Sequence, residues 1–123
     1  MPDRNELDSF IGTSFRSVWA LELLKYLAEN PGTYHTSDEL IAVLRASEAV
    51  VSQSVQNLAA AGLAVGDDEG RVAYLEAPGE GAALVKAALA LYGRSPDKVR
   101  RLIVARSTPG VTAFVDAFRL RKD

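Results

Sequence analysis

The sequence predicts a mainly α-helical fold with one small β-hairpin. Three observations carry that reading. Apolar residues recur every three to four positions through most of the chain, start and stop signals bracket those runs, and the period drops to two once, between Leu63 and Leu75. The 123 residues suit one compact domain, and 48% hydrophobic with 24% charged residues allows a core to form.

Each element has its own signal. Phe15, Val18, Trp19, Leu23, Leu24 and Leu27 share one side of a first helix over Ser14–Glu29, which Thr13 or Ser14 can cap and Asn30-Pro31-Gly32 ends. Thr36 followed three residues later by Glu39 is a capping box for a short second helix carrying Leu40, Ile41, Val43 and Leu44 and closing near Arg45. Ser47 caps a third helix, with Glu48 in its first turn and Val51, Val55 and Leu58 facing inward. Gly62 provides a left-handed stop, after which Leu63 packs back on the helix. Leu63–Val65 and Arg71–Leu75 read as strands around an acidic Gly66–Gly70 turn. A fourth helix is expected near Ala82–Tyr92. Ser95-Pro96-Asp97 and Thr108-Pro109 open two more, the last presenting Val111, Phe114, Val115 and Phe118 on one face. The organisation expected is an N-terminal arm (1–13), a helix–helix–helix–hairpin module (14–77) and a helical extension (78–123).

Composition removes several classes of function. With no cysteine there is no disulfide framework, thiolate metal site or cysteine nucleophile, which fits a reducing compartment. His35 is the single histidine, so neither a metal site nor Ser-His-Asp catalysis is indicated, and no cofactor is expected. Gly79-Glu80-Gly81 lacks the third glycine of a dinucleotide loop. No apolar run is long enough to span a membrane, and the first residues are not a signal peptide, so a soluble cytoplasmic protein that is not an enzyme is expected. The net charge of −2 is unevenly spread: residues 7–77 hold 4 basic and 10 acidic side chains (−6), and residues 78–123 hold 9 and 4 (+5).

Helix, short helix, tight turn, helix and hairpin is the order of a winged helix-turn-helix, followed here by C-terminal helices. In that arrangement two helices hold the third outward, and a helix of roughly 22 Å fits the DNA major groove. Trp19-Ala20-Leu21-Glu22-Leu23-Leu24, Ser37-Asp38-Glu39-Leu40, the run Val51 to Leu63 with its Leu58-x-x-x-Gly62-Leu63 exit, and Gly70-Arg71 resemble bacterial winged-helix transcriptional regulators of the MarR type. The resemblance covers about residues 14–79. It implies a cytoplasmic homodimer, joined through its terminal helices, that reads double-stranded DNA with the third helix and the wing, sometimes under control of a ligand. Gln53 and Asn57 stand where the family pattern frequently has arginine, and the wing tip is Asp67-Asp68-Glu69.

The expected reading surface is Ser47, Ala49, Val50, Ser52, Gln53, Gln56 and Asn57, with Arg45 and Arg71 as phosphate contacts. Gln and Asn can read adenine edges, Ser can donate to phosphate or base, and Val50 can touch a thymine methyl or pack against the second helix. Arg71 can instead pair locally with the acidic tip, and Arg45 can simply complement the end of its helix. The −6 charge of residues 7–77 supports an alternative, an interaction adaptor of the same fold that docks a basic protein partner and does not bind DNA. Lys98, Arg100 and Arg101 form a further basic face, and Arg119, Arg121 and Lys122 end the chain with positive charge.

Overall fold

Asp3 to Ser107 are described by the computed structural model of the chain. They form α1 (Arg4–Ser14), α2 (Val18–Glu29), α3 (Ser37–Leu44), α4 (Glu48–Ala60), β1 (Ala64–Gly66), β2 (Val72–Tyr74), α5 (Glu80–Arg94) and α6 (Pro96–Ser107). The fold is mainly helical, with one antiparallel two-stranded hairpin between α4 and α5. The expected last helix, with Phe114 and Phe118, lies outside the described residues, as do Arg119, Arg121 and Lys122.

The first departure from expectation is at the start. Residues 4–13 of the expected arm, together with Ser14, are helical: Asp3 caps α1 by accepting from the Glu6 N–H at 2.7 Å, and Ile11 is fully buried. α1 packs against α6 and α5, closing the two ends of the described chain on each other. The second departure follows directly. The helix expected over Ser14–Glu29 is interrupted at Phe15-Arg16-Ser17, and α2 is capped by Ser17, whose Oγ accepts from the Ala20 N–H. This break turns Phe15 fully into the core, edge-on to Phe10, and leaves Trp19 40% exposed.

Beyond the break the local chemistry follows the sequence. Thr36 caps α3 through the Glu39 N–H, and Ser47 caps α4 through the Val50 N–H. The exit of α4 is a Schellman motif: the Leu63 N–H reaches the Leu58 carbonyl at 2.8 Å, and the Gly62 N–H reaches the Ala59 carbonyl at 3.1 Å. Gly62 sits at φ 77°, a conformation that costs a side chain with a Cβ about 1 kcal/mol or more. One core unites Leu21, Leu24 and Leu27 of α2, Leu40 of α3, Val51 and Leu58 of α4, and Val85 and Ile103 of α5 and α6.

The hairpin pairs Ala64 with Tyr74, Val65 with Ala73 and Gly66 with Val72. Its other edge is not free. His35, in the segment before α3, bridges Val72 through two backbone hydrogen bonds of 2.8 and 2.9 Å, tying the wing to the entry of the helix pair.

Candidate nucleic-acid interface

α3 and α4 are joined by Arg45-Ala46-Ser47. Arg45 takes a left-handed conformation (φ 54°, ψ 44°), the one non-glycine at positive φ among the described residues. This turn directs α4 so that Val51, Ser54, Asn57 and Leu58 are buried, while Glu48, Ala49, Ser52, Gln53, Gln56 and Ala60 are exposed. Gln53 and Gln56 are exposed on this outer face, and the Gln56 amide donates to Ser52 Oγ at 3.4 Å. Val50 is half-buried. Ser47 has its oxygen engaged in the α4 cap, which leaves its hydroxyl proton available to a partner.

Asn57 does not belong to that face. It is only 8% exposed, and its amide is occupied by the backbone of the α1–α2 junction. Oδ1 accepts from the Arg16 N–H and Nδ2 donates to the Ser14 carbonyl, both at 2.8 Å. A buried amide whose oxygen and nitrogen are each engaged by the backbone of a distant junction is a structural clamp rather than part of the outer polar face. Helical spacing alone puts Asn57 one turn beyond Gln53; only the distant junction reveals that it faces inward.

Arg71 is also committed within the chain. Its Nε donates to Asp67 Oδ2 at 2.8 Å, a terminal nitrogen lies 3.5 Å from Glu69, and its guanidinium sits over the Tyr34 ring. Asp67 also accepts from the Glu69 and Arg71 N–H groups, building the wing turn that Gly70 closes at φ 80°. Desolvation opposes the ionised form of Asp67, but the Arg71 N–H and guanidinium and the Glu69 N–H outweigh it and lower the carboxyl's pKa. The local pairing weighed from sequence is thus the one formed.

Arg16 was not among the expected site residues. It is exposed at the head of α2 and, with Ser17, faces Gln53, Gln56, Asn57 and Ala60 across an open cleft of about 530 Å³. Its approach to α4 depends on the break after Ser14, which the hydrophobic spacing conceals. Arg45, in the α3–α4 turn, is exposed. The basic residues of α6 lie on an element packed chiefly against α1, α5 and α2, and Arg100 is paired with Asp97 at 3.0 Å.

His35 is buried and engaged with Glu39, whose carboxylate also accepts from the Tyr26 hydroxyl at 2.8 Å. The Tyr26 and His35 hydrogen bonds lower the Glu39 pKa, and Glu39 in turn raises that of Tyr26. This trio joins α2, α3 and the wing bridge. Among the described residues no group of three His, Cys, Asp or Glu side chains could hold a metal ion, and no helix is long and apolar enough to cross a membrane. No protein-family model, curated protein or solved structure matches the chain.

Proposed function

We propose that this protein is a DNA-binding transcriptional regulator that inserts α4 into the major groove of double-stranded DNA, with the β1–β2 wing alongside. The single observation that carries the reading is the outer face of α4. Ser52, Gln53 and Gln56, with the small Ala49 beside them, form an exposed strip on a helix held by α2 and α3. Such a strip needs no solvent-side partner for stability, and its amide donors and acceptors match adenine edges in the major groove. With Asn57 buried and Arg71 paired, direct readout rests on Ser52, Gln53 and Gln56, and phosphate contact on Arg45 and Arg16. The resemblance to MarR-type regulators adds a homodimer joined through terminal helices, which would double this small set of contacts.

A gel-shift titration on genomic fragments at low and moderate salt tests the proposal. Retardation that weakens steeply with salt and persists longest on particular fragments is the expected result. Absence of retardation on every fragment at low salt would refute it.

One observation favours a second reading, a protein-interaction adaptor. The wing's arginine is neutralised by Asp67, leaving Asp68 and Glu69 exposed at the tip, where they repel phosphate and suit a basic protein. The two readings respond to different substitutions. Q53A with Q56A impairs a DNA reader and spares the adaptor, whereas neutralising Asp68 and Glu69, which leaves the Asp67 turn intact, weakens only the adaptor.

A further inference from the structure

The cleft between the head of α2 and the outer face of α4 differs in chemistry from two other clefts among the described residues. Its lining is Arg16, Ser17, Gln53, Gln56, Asn57 and Ala60: one guanidinium, one hydroxyl and amide groups, with no carboxylate. The apolar cleft between α2, β2 and α5 includes Glu29 and Glu76, and the small one beside Val43 includes Glu22 and Glu29. In residues 7–77, with their balance of −6, a carboxylate-free cleft of about 530 Å³ built around a cation is a local reversal of charge.

Arg16 is also uncommitted. Among the described residues its guanidinium forms no ion pair, whereas those of Arg71 and Arg100 each bind a carboxylate. Its backbone is nevertheless fixed, because Asn57, on the same helix as Gln53 and Gln56, holds the Arg16 N–H at 2.8 Å. A free guanidinium on a fixed backbone, one turn of α4 from the base-reading amides, is the arrangement that sets a helix's register on a polyanion.

Resting on the reading of α4 as a DNA-binding helix, we infer that this cleft takes a phosphodiester of the DNA backbone, with Arg16 as its charged ligand and Asn57 as a positioning residue. The phosphate contact fixes how deeply and at what angle α4 enters the groove. Sequence discrimination stays with Gln53 and Gln56. The site thus supplies the anchor that Arg71, tied to Asp67, does not.

The test is the affinity of the full chain for a labelled random-sequence duplex, measured by fluorescence anisotropy over a series of salt concentrations. Arg16→Gln should weaken binding on the order of tenfold at low salt and flatten the plot of log affinity against log salt by about one unit per bound subunit. Arg16→Lys should restore most of the slope. Lys25→Gln, which removes a charge from α2 beside Val43, should leave it unchanged. Because Arg16 is exposed and Asn57 uses only its backbone, the variants should melt with the parent protein. If the parent binds and Arg16→Gln keeps its affinity and slope, the phosphate site is overturned while the reading of α4 stands. An equal loss with Lys25→Gln overturns it too, since net charge then explains the effect. A parent protein that binds no DNA overturns both.

Discussion

The Asn57 amide and the Arg16 backbone are joined across 41 positions of sequence, Oδ1 accepting the Arg16 N–H at 2.8 Å while Nδ2 holds the Ser14 carbonyl. One side chain therefore fixes the place where α1 ends, the chain breaks and α2 begins, and ties that break to α4. Asn57→Ala takes away the side-chain partner of the Arg16 N–H and of the Ser14 carbonyl at this part-buried junction. It should cost about 2–4 kcal/mol, seen as a lower urea midpoint with an unchanged slope. A midpoint within error of the parent would show that the clamp contributes nothing.

Ser54 gives the opposite expectation. It is 2% exposed in the inner face of α4, and its hydroxyl has no hydrogen-bond partner among the described residues. Ser54→Ala removes an unsatisfied polar group at almost no change in volume, so it should raise stability by about 1 kcal/mol or leave it unchanged. A fall of more than about 1 kcal/mol in thermal unfolding would mean the hydroxyl is satisfied after all.

Arg45 separates stability from binding. Its left-handed backbone suits glycine, so Arg45→Gly should stabilise the α3–α4 turn by up to about 1 kcal/mol, with the greater freedom of glycine in the unfolded chain offsetting part of the gain. The same variant should bind duplex DNA more weakly and with a shallower salt dependence if Arg45 contacts phosphate. Melting and anisotropy on one sample read both effects.

The wing turn carries a pH dependence whose sign follows from Asp67. Its folded-state carboxyl titrates below the ordinary value of 3.8, so the contribution of the ionised group is complete above that value. It is lost as pH falls through the lower folded-state value. Asp67→Asn should therefore lower the melting temperature at neutral pH, and the gap to the parent should close as both are taken below about pH 4. Glu39, also lowered, acts in the same direction, so the parent's own stability declines over the same acidic range.

What could be read from the chain, and what could not, divides along sequence separation. Ser47 and Gly62-Leu63 act within five residues of themselves and do in the structure what their spacing implies, whereas the Thr36–Glu39 capping box forms only its Thr36 half, the Glu39 carboxylate being taken by Tyr26 and His35. The hairpin also follows from its period, although its bridge to His35 does not, since nothing local marks residue 35 as a third edge. α1 was legible and was missed: Asp3 with Glu6 three residues on, followed by Leu7, Phe10 and Ile11, is a helix-start signature. The break at residues 15–17 was not legible, because the periodicity of Phe15, Val18 and Trp19 runs smoothly across it. The group that stabilises it, Asn57, belongs to another helix. For the candidate site this has two consequences. A polar residue assigned to the outer face is in fact a core clamp, and a cation assigned to no role becomes part of the cleft. The exposed strip of Ala49, Ser52, Gln53 and Gln56 follows from helical geometry alone and is found where the sequence puts it.

The central claim concerns that strip, and amide chemical-shift mapping during titration with a selected DNA duplex addresses it residue by residue. Binding through α4 predicts that the largest perturbations fall on Ala49, Ser52, Gln53 and Gln56, with Arg16 and Arg45 at the margin and Asp68 and Glu69 affected less. Perturbations centred on the wing tip with the α4 strip unmoved, or none at all at low salt, would contradict it.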